Sequence, residues 1–237
     1  MIKEAIILAG GLGTRLHSVV SDVPKCMAPV AGKPFLHYVI DFLQKNGINH
    51  FIFSVGYKHE MIEEYLTKNH ALLDYTISFE NEPLGTGGAI KLACNKSAEK
   101  NVLICNGDTL YKIDIRTLSK SHKATEAFCT LSLKPMHYFD RYGVVELNED
   151  YSVKSFKEKQ YYTSGLINGG LYALNVESFL KENLPEKFSF EKDYLEVNVR
   201  KTANEKSKLF GIIQDEYFID IGIPEDYERA QKELLNY

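Results

Sequence analysis

Apolar residues recur along the first half of the chain in two alternating rhythms. Ala5-Ile6-Ile7-Leu8-Ala9 is an unbroken apolar run with the length of a strand buried on both faces. Pro34 then opens a stretch in which Phe35, Leu36, Val39, Ile40 and Leu43 return at helical spacing, until Asn46-Gly47 ends it. A strand over 50–55, a helix over 59–69, an alternating strand over 75–79, a helix over 88–96 and a buried strand over 102–105 follow by the same reasoning. Strand and helix in alternation predict βαβ units with right-handed crossovers on a parallel sheet. From about residue 127 strand-like runs outnumber helices, at 127–133, 144–147, 152–156 and 167–174, with Asn148-Glu149-Asp150 as a turn. Helices over 176–182, 190–201 and 224–235 and strands over 209–213 and 217–221 complete the chain. No Pro-, Gly- or Ser-rich stretch separates 1–126 from 127–237. The expected fold is therefore a single α/β domain over 1–237, a mixed, mostly parallel sheet flanked by helices, in which the second half extends the first.

With 237 residues, 44% of them hydrophobic, the chain has enough apolar material for a large core. Its net charge of −4, with Lys and Arg scattered among Asp and Glu, leaves no basic footprint, so nucleic acid is not an expected partner. The apolar run at 5–9 is far shorter than a membrane span, and no cleavage-site pattern follows it, so neither a membrane nor a signal peptide is expected. Cys26, Cys94, Cys105 and Cys129 show neither paired spacing nor a neighbouring His, and read as free thiols of a cytoplasmic protein. A homodimer is compatible with the exposed elements of the second half, though no stretch demands it.

The chemistry concentrates after strands. Leu8 and Ala9 lead into Gly10-Gly11-Leu12-Gly13-Thr14-Arg15-Leu16, and glycines at a strand's carboxyl end let backbone N–H groups approach phosphate oxygens. A dinucleotide fingerprint would need glycine where Leu16 stands, and a P-loop would need Gly-Lys-Ser/Thr, so both familiar motifs fail. By itself the segment is equally a tight turn. Arg15 and Lys25, the latter in Val23-Pro24-Lys25-Cys26, supply a guanidinium fork and a point charge suited to a triphosphate, although a lone Lys beside Pro is usually a solvated loop charge. Asp108 and Asp220 each follow an apolar strand, which would put both carboxylates at one sheet edge; singly, each reads as a turn cap.

Taken together, Leu8 to Leu16 with Pro24-Lys25 resembles the signature of the sugar-1-phosphate nucleotidyltransferases, the nucleotide-sugar pyrophosphorylases. The resemblance runs in order along nearly the whole chain. Glu82-Pro83-Leu84-Gly85-Thr86-Gly87-Gly88 resembles that family's base loop and Asn106-Gly107-Asp108 its metal-binding strand end. Glu158-Lys159 and Asn168-Gly169-Gly170 are similar to its sugar-phosphate site, and Asp220-Ile221-Gly222 to its second metal ligand. The resemblance implies a Rossmann-like, GT-A-like domain, with 1–126 as a nucleotide-binding half and 127–237 as a sugar-phosphate half. It implies Arg15 and Lys25 as catalytic residues and Mg²⁺ held by Asp108 and Asp220. Leu8, Gly10, Gly11, Gly13, Thr14, Glu80, Glu82, Gly85 and Thr86 would bind nucleotide. Gly143, Glu158, Lys159, Asn168 and Gly169 would bind the sugar phosphate. Two departures stand out: no proline follows Arg15-Leu16, and no hexapeptide-repeat β-helix follows, so no acyltransferase activity is expected.

Elementary chemistry agrees with that implication. A sugar 1-phosphate is largely dianionic near neutrality, since its second pKa is about 6, so it needs no general base. Catalysis then reduces to neutralising charge and aligning two polyanions, a task for Mg²⁺ and cationic side chains. Guanine carries two adjacent donor groups on one edge, which suits a carboxylate, and Glu80 and Glu82 flank the loop; guanine is the expected base. A manno-heptose 1-phosphate as acceptor rests on family likeness alone. Mannose 1-phosphate, or a uridylyl or thymidylyl donor, is the alternative within the family. A metal-dependent glycosyltransferase would carry a second carboxylate near Asp108, where Asn106-Gly107-Asp108-Thr109 has one. A silent nucleotide-sugar sensor need not keep Arg15, Lys25, Asp108 and Asp220 together. Glu191-Lys192-Asp193 reads as acidic residues favoured at a helix start, and His17, His59 and His122 have no partner at informative spacing.

Overall fold

The computed structural model describes residues 1–11, 20, 23–201 and 207–235. Strand β1 (Glu4–Leu8) is central, because its continuous apolar run can be buried on both faces: Ala5, Ile6 and Ile7 are fully inaccessible. It pairs in parallel with β4 (His50–Val55) on one side and with β6 (Asn101–Asn106) on the other, and β4 pairs in parallel with β5 (Tyr75–Phe79). Successive β1 side chains point to opposite faces, so Ala5 and Ile7 join one core and Ile6 the other. The first core is covered by α1 (Phe35–Lys45), which buries the Phe35, Leu36, Val39, Ile40, Leu43 stripe, and by α2 (His59–Asn69). The second takes residues from α3 (Gly85–Cys94). Two-residue strands β2 (Pro29–Val30) and β3 (Lys33–Pro34) form a small hairpin before α1.

Beyond β6 come β7 (Thr109–Tyr111), α4 (Ile115–Ala124), β8 (Cys129–Phe139), β9 (Val144–Leu147), β10 (Val153–Lys157) and β11 (Tyr162–Asn175). β11 pairs antiparallel with β6 and with β8, and β9 and β10 continue the order, so the second half does extend the first sheet. Helix α5 (Val176–Leu180), a π-helical turn over Phe190–Leu195, α6 (Glu196–Lys201), β12 (Leu209–Ile213), β13 (Phe218–Asp220) and α7 (Pro224–Glu233) follow. Among the described residues nine strands make one mixed sheet, into which β12 enters parallel to β8.

Several sequence expectations shift. Helix α3 begins at Gly85, three residues before the expected start, and the stretch expected as one helix over 190–201 is a π-helical turn running into α6. β8 and β11 extend well beyond the expected 127–133 and 167–174. α4 and β7 have no counterpart in the apolar pattern. Helix α4 buries Ser119 and His122 beside Ile115 and Leu118, so half of its inward face is polar.

Candidate active site

The parallel strands all deliver their carboxyl ends to one edge, where chain reversals bring side chains together. At the end of β1 the Ala9 N–H donates to the Ser54 carbonyl of β4 (2.8 Å), and the Gly107 N–H donates to the Leu8 carbonyl (2.9 Å). The glycine segment thus starts between the ends of β4 and β6. Gly10 and Gly11 stand there; Gly13, Thr14 and Arg15 lie outside the described residues.

Lys25 opens a 3₁₀ turn, Lys25–Met27, after Pro24, and its ammonium sits between two carboxylates. It donates to Asp108 Oδ2 in a very short ion pair and lies 3.4 Å from Asp220 Oδ1. Asp108 follows β6 directly. Asp220 does not ride on the main sheet, as the sequence suggested: it ends β13, which pairs antiparallel with β7 in a separate two-stranded ribbon. That ribbon folds back so that the Ile221 N–H donates to the Asp108 carbonyl (3.1 Å), and the Gly222 N–H donates to Asp220 Oδ1 (2.8 Å). Burial, and next the charge of Asp108, push the Asp220 carboxyl above its ordinary range, against the pull of Lys25. The neighbouring Cys26 thiol is pushed up to about 12, by burial first and Asp108 second, and is no nucleophile.

Two facing carboxylates of which one resists ionisation are short of positive charge. They are hard oxygen donors, the kind Mg²⁺ takes one or two of alongside phosphate and water oxygens. Among the described residues no set of three or more His, Cys, Asp or Glu side chains converges, so the fit is to an ion completed by substrate oxygens rather than to a closed protein cage.

The loop around Glu80 and Glu82 joins β5 to α3. A Cβ on Gly10 would stand 3.0 Å from Glu80 Oε1, so this loop and the glycine segment touch. Glu80 accepts from the Ser54 hydroxyl (3.2 Å) and the Leu84 N–H (3.2 Å), one bond per oxygen, which leaves each oxygen a further lone pair. Glu82 is exposed. Gly85 has φ +73°, and a Cβ there would meet the Phe188 carbonyl at 2.6 Å. Thr86 donates to Glu191 Oε2 (2.9 Å) and accepts from the Phe190 N–H (2.9 Å), tying the loop to the start of the π-helical turn.

In the second half, Asn168 and Gly169 lie at a bulge of β11 against β8. Gly169 packs on the Tyr111 ring of β7, where no Cβ fits, and a Cβ on Gly170 would come 2.7 Å from the Asn106 amide. The bulge is therefore next to the strand end that carries Asp108. Gly143 packs against the Lys157 carbonyl, while Glu158 and Lys159 follow β10 with exposed side chains and make no ion pair with another described residue. Their connection to Lys25 and the two aspartates is not made through direct contacts. Sequence reasoning passed over Arg141 and Tyr142, immediately before Gly143. Arg141 forms a short ion pair with buried Asp226 of α7, and Tyr142 stands edge-on to Phe218 of β13 (6.1 Å between centroids). Burial and then the charge of Asp220 push Tyr142 up to about 12. The only available signal was their adjacency to Gly143.

The family description "Nucleotidyl transferase" matches residues 4–237. The chain belongs to this family. It is an enzyme of nucleotidyl transfer, and the Lys25, Asp108, Asp220 cluster sits at the carboxyl edge of its sheet. It is 53% identical over 234 residues to the D-glycero-α-D-manno-heptose 1-phosphate guanylyltransferase of Aneurinibacillus thermoaerophilus, covering 99% of each chain. It is 46% identical over 224 residues to the protein of the same name from Campylobacter jejuni, covering 94% of this chain and 96% of that one. The crystal structure of HddC from Yersinia pseudotuberculosis complexed with GMP-PN superposes with a TM-score of 0.86 at 35% identity, over 98% of this chain and 100% of that one. These likenesses agree with the single mixed α/β sheet described above.

Proposed function

We propose that this nucleotidyltransferase moves the guanylyl group of GTP to D-glycero-α-D-manno-heptose 1-phosphate, giving the GDP-heptose and pyrophosphate. The observation that carries the reading is the likeness to two heptose 1-phosphate guanylyltransferases over nearly the whole length of both chains. A phosphate oxygen of the heptose 1-phosphate attacks the α-phosphorus in line, and the bond from that phosphorus to the bridging oxygen of the β-phosphate breaks as pyrophosphate leaves. The nucleophile is already anionic, so no side chain need remove a proton.

Asp108 and Asp220 would hold a Mg²⁺ ion, whose charge, when bound, offsets the repulsion between the two phosphates. Lys25, with its ammonium at the same edge, neutralises the charge that develops at the α-phosphate, and Arg15 holds the triphosphate tail over Gly10, Gly11, Gly13 and Thr14. Leu8 and the Glu80 to Thr86 loop bind the base. Glu158 accepts hydrogen bonds from sugar hydroxyls, Lys159 holds the sugar's phosphate, and Gly143, Asn168 and Gly169 wall the pyranose. A cytoplasmic location and a homodimer are compatible with the same reading.

The test is pyrophosphate release from GTP, ATP, CTP, UTP and dTTP, each against a panel of hexose and heptose 1-phosphates. GTP with the heptose 1-phosphate should give the highest kcat/KM. Preference for a pyrimidine triphosphate would overturn the guanine reading, and equal use of mannose 1-phosphate the heptose reading.

A further inference from the structure

The end of the sheet opposite the Lys25, Asp108, Asp220 cluster also holds a cavity. Its volume is about 540 Å³, within the range of small-molecule sites, and it opens where β6 begins and β11 ends, beside the last turn of α4 and the start of β12. Asp108 follows the far end of β6, so about 20 Å of strand separates the cavity from the catalytic edge. None of the residues assigned above to substrate or metal lines it.

Three separate elements each bring a lysine to this cavity: Lys100 precedes β6, Lys123 lies in the last turn of α4, and Lys208 precedes β12. Main-chain bonds fix two of these positions. The Lys100 carbonyl accepts from the Val176 N–H (2.9 Å), and the Lys208 carbonyl accepts from the Phe128 N–H (2.8 Å). Elsewhere Lys45, Lys68, Lys134 and Lys181 each pair with a carboxylate. Among the described residues none of the three cavity lysines does so, although Glu99 and Glu126 line the same cavity. In a chain of net charge −4, these cations gather round one cavity without a counter-ion.

Two amides in the same cavity add donors. Asn101 and Asn175 stand opposite each other in the β6–β11 pair, so their side chains emerge side by side on one face. Asn175 Oδ1 accepts from the Ser178 N–H (2.9 Å), and Asn101 Oδ1 accepts from His122 Nε2 (3.1 Å). Each amide thus has its oxygen engaged, while its NH₂ has no acceptor among the described residues. Ammonium groups and amide N–H groups together form a donor set for phosphate oxygens. The Glu99 and Glu126 carboxylates can only accept, so they suit a ligand that brings hydroxyl or N–H donors as well. A bare phosphate would leave both carboxylates and most of the volume unused.

We propose that this cavity is a second anion site that takes a nucleotide-sized phosphate ester: Lys100, Lys123 and Lys208, with the Asn101 and Asn175 amides, hold its phosphate, while Glu99 and Glu126 accept from its hydroxyl or N–H groups. The cavity lies at the starts of the parallel strands rather than their ends. Its occupant therefore does not compete for Lys25 or the two aspartates.

The experiment is titration of ¹⁵N-labelled protein with GDP and, separately, with inorganic phosphate, followed by NMR in about 0.15 M NaCl so that attraction between exposed charges is screened. Backbone amide resonances of residues 99–101, 123–127, 175 and 208 report the cavity, and those of residues 10, 11 and 80–86 report the active site. GDP should shift the cavity set saturably, with a Kd about 10-fold or more below that of inorganic phosphate. The double variant Lys100→Gln, Lys123→Gln changes exposed side chains only, and it should weaken GDP binding at the cavity about 10-fold or more. Its GDP affinity at the active site and its nucleotidyl-transfer rate without added GDP should equal those of the wild type. The double variant Glu99→Gln, Glu126→Gln should reduce the preference of the cavity for GDP over phosphate. GDP shifts confined to the active-site set, or cavity binding of wild-type affinity in the lysine variant, overturn the site. Phosphate bound as tightly as GDP, or an unchanged preference in the glutamate variant, overturns the ester assignment.

Discussion

Individual side chains here carry opposite obligations to stability and to chemistry, and Asp220 and His122 separate them. Asp220 is held in its neutral form more readily than an ordinary carboxyl, by burial and by Asp108, so its ionised state costs the folded protein stability near neutrality. Asp220→Asn should therefore raise Tm at pH 8 more than at pH 4, because the folded wild type ionises this group only as pH climbs past the ordinary carboxyl range. Activity should fall at least about 100-fold in both Asp220→Asn and Asp108→Asn, since on the proposed reading each removes a negative ligand of the Mg²⁺ ion. Thermal denaturation at the two pH values and a pyrophosphate-release assay check both halves, and activity like the wild type would remove the metal-ligand assignment. His122 works the other way. It is buried among uncharged partners, with the Thr130 hydroxyl 2.9 Å from Nδ1 and the Asn101 carbonyl oxygen 3.1 Å from Nε2. Asn101 Oδ1 can only accept, so Nε2 carries the proton. Burial first, and Lys123 second, lower its pKa from 6.5 to about 4. The unfolded chain binds this proton near pH 6.5 and the folded chain only near 4, so stability falls as pH drops across that window, by about 3 kcal/mol in all. Urea denaturation at pH 7 and pH 4.5 should show His122→Gln losing less stability on acidification than the wild type.

Elements in this fold are placed as much by close backbone approach as by apolar stripes, which decides what the sequence could tell. β1, β4 and β5 were legible almost residue for residue, because unbroken or alternating apolar runs bounded by turns have few alternatives, and α1 was legible from its stripe. α4 was hidden because Ser119 and His122 fill positions that a periodicity search expects to be apolar. The first part of β11 was hidden because Thr163, Ser164 and Gly165 supply no apolar side chain to mark a strand there. In the site, Lys25 and the two aspartates read as parts of one motif set, and the structure brings them together, while the glycine segment past Gly11 lies outside the described residues. Glu191 was not legible, since an acid near a helix start has a sufficient local explanation; only the Thr86 hydroxyl that donates to it from the first turn of α3 shows what else it does. The start of α3 is the sharpest case of backbone approach. Gly85 adopts a left-handed conformation against the Phe188 carbonyl, so Gly85→Ala must meet about 1–2 kcal/mol of backbone strain as well as a collision. Its Tm should fall by about 2–8 °C, and the KM for GTP should rise more than the KM for the sugar 1-phosphate. Equal effects on both KM values would make Gly85 purely a packing residue.

At the scale of the whole molecule, the site is closed by segments from opposite ends of the chain. Lys25 precedes the β2–β3 hairpin, and α7 clasps that hairpin: Gln231 accepts from the Ala31 N–H (2.8 Å) and donates to the Pro29 carbonyl (2.7 Å), which Tyr227 also engages (2.5 Å). The same helix holds the loop before Gly143 through the Asp226 to Arg141 pair, and it follows β13, which ends in Asp220. Lys25 is thus set against two carboxylates by residues almost 200 positions away, which is far more support than a solvated loop lysine receives. Preorganised charge of this kind contributes mainly when the transition state forms, because the carboxylates already satisfy it in the ground state. Lys25→Met should therefore lower kcat by about 100- to 1,000-fold while changing the KM for GTP by less than about 3-fold, and Lys25→Arg should recover part of the loss. Fold loss is separable from chemical loss, because α7 is anchored to the hairpin through Pro29 and Ala31 rather than through Lys25, and the circular dichroism spectrum should be unchanged. Kinetics of Lys25→Met equal to those of the wild type would return this residue to the status of a structural ion pair, and a rise in KM with kcat intact would make it a binding group that does not distinguish the transition state from the ground state.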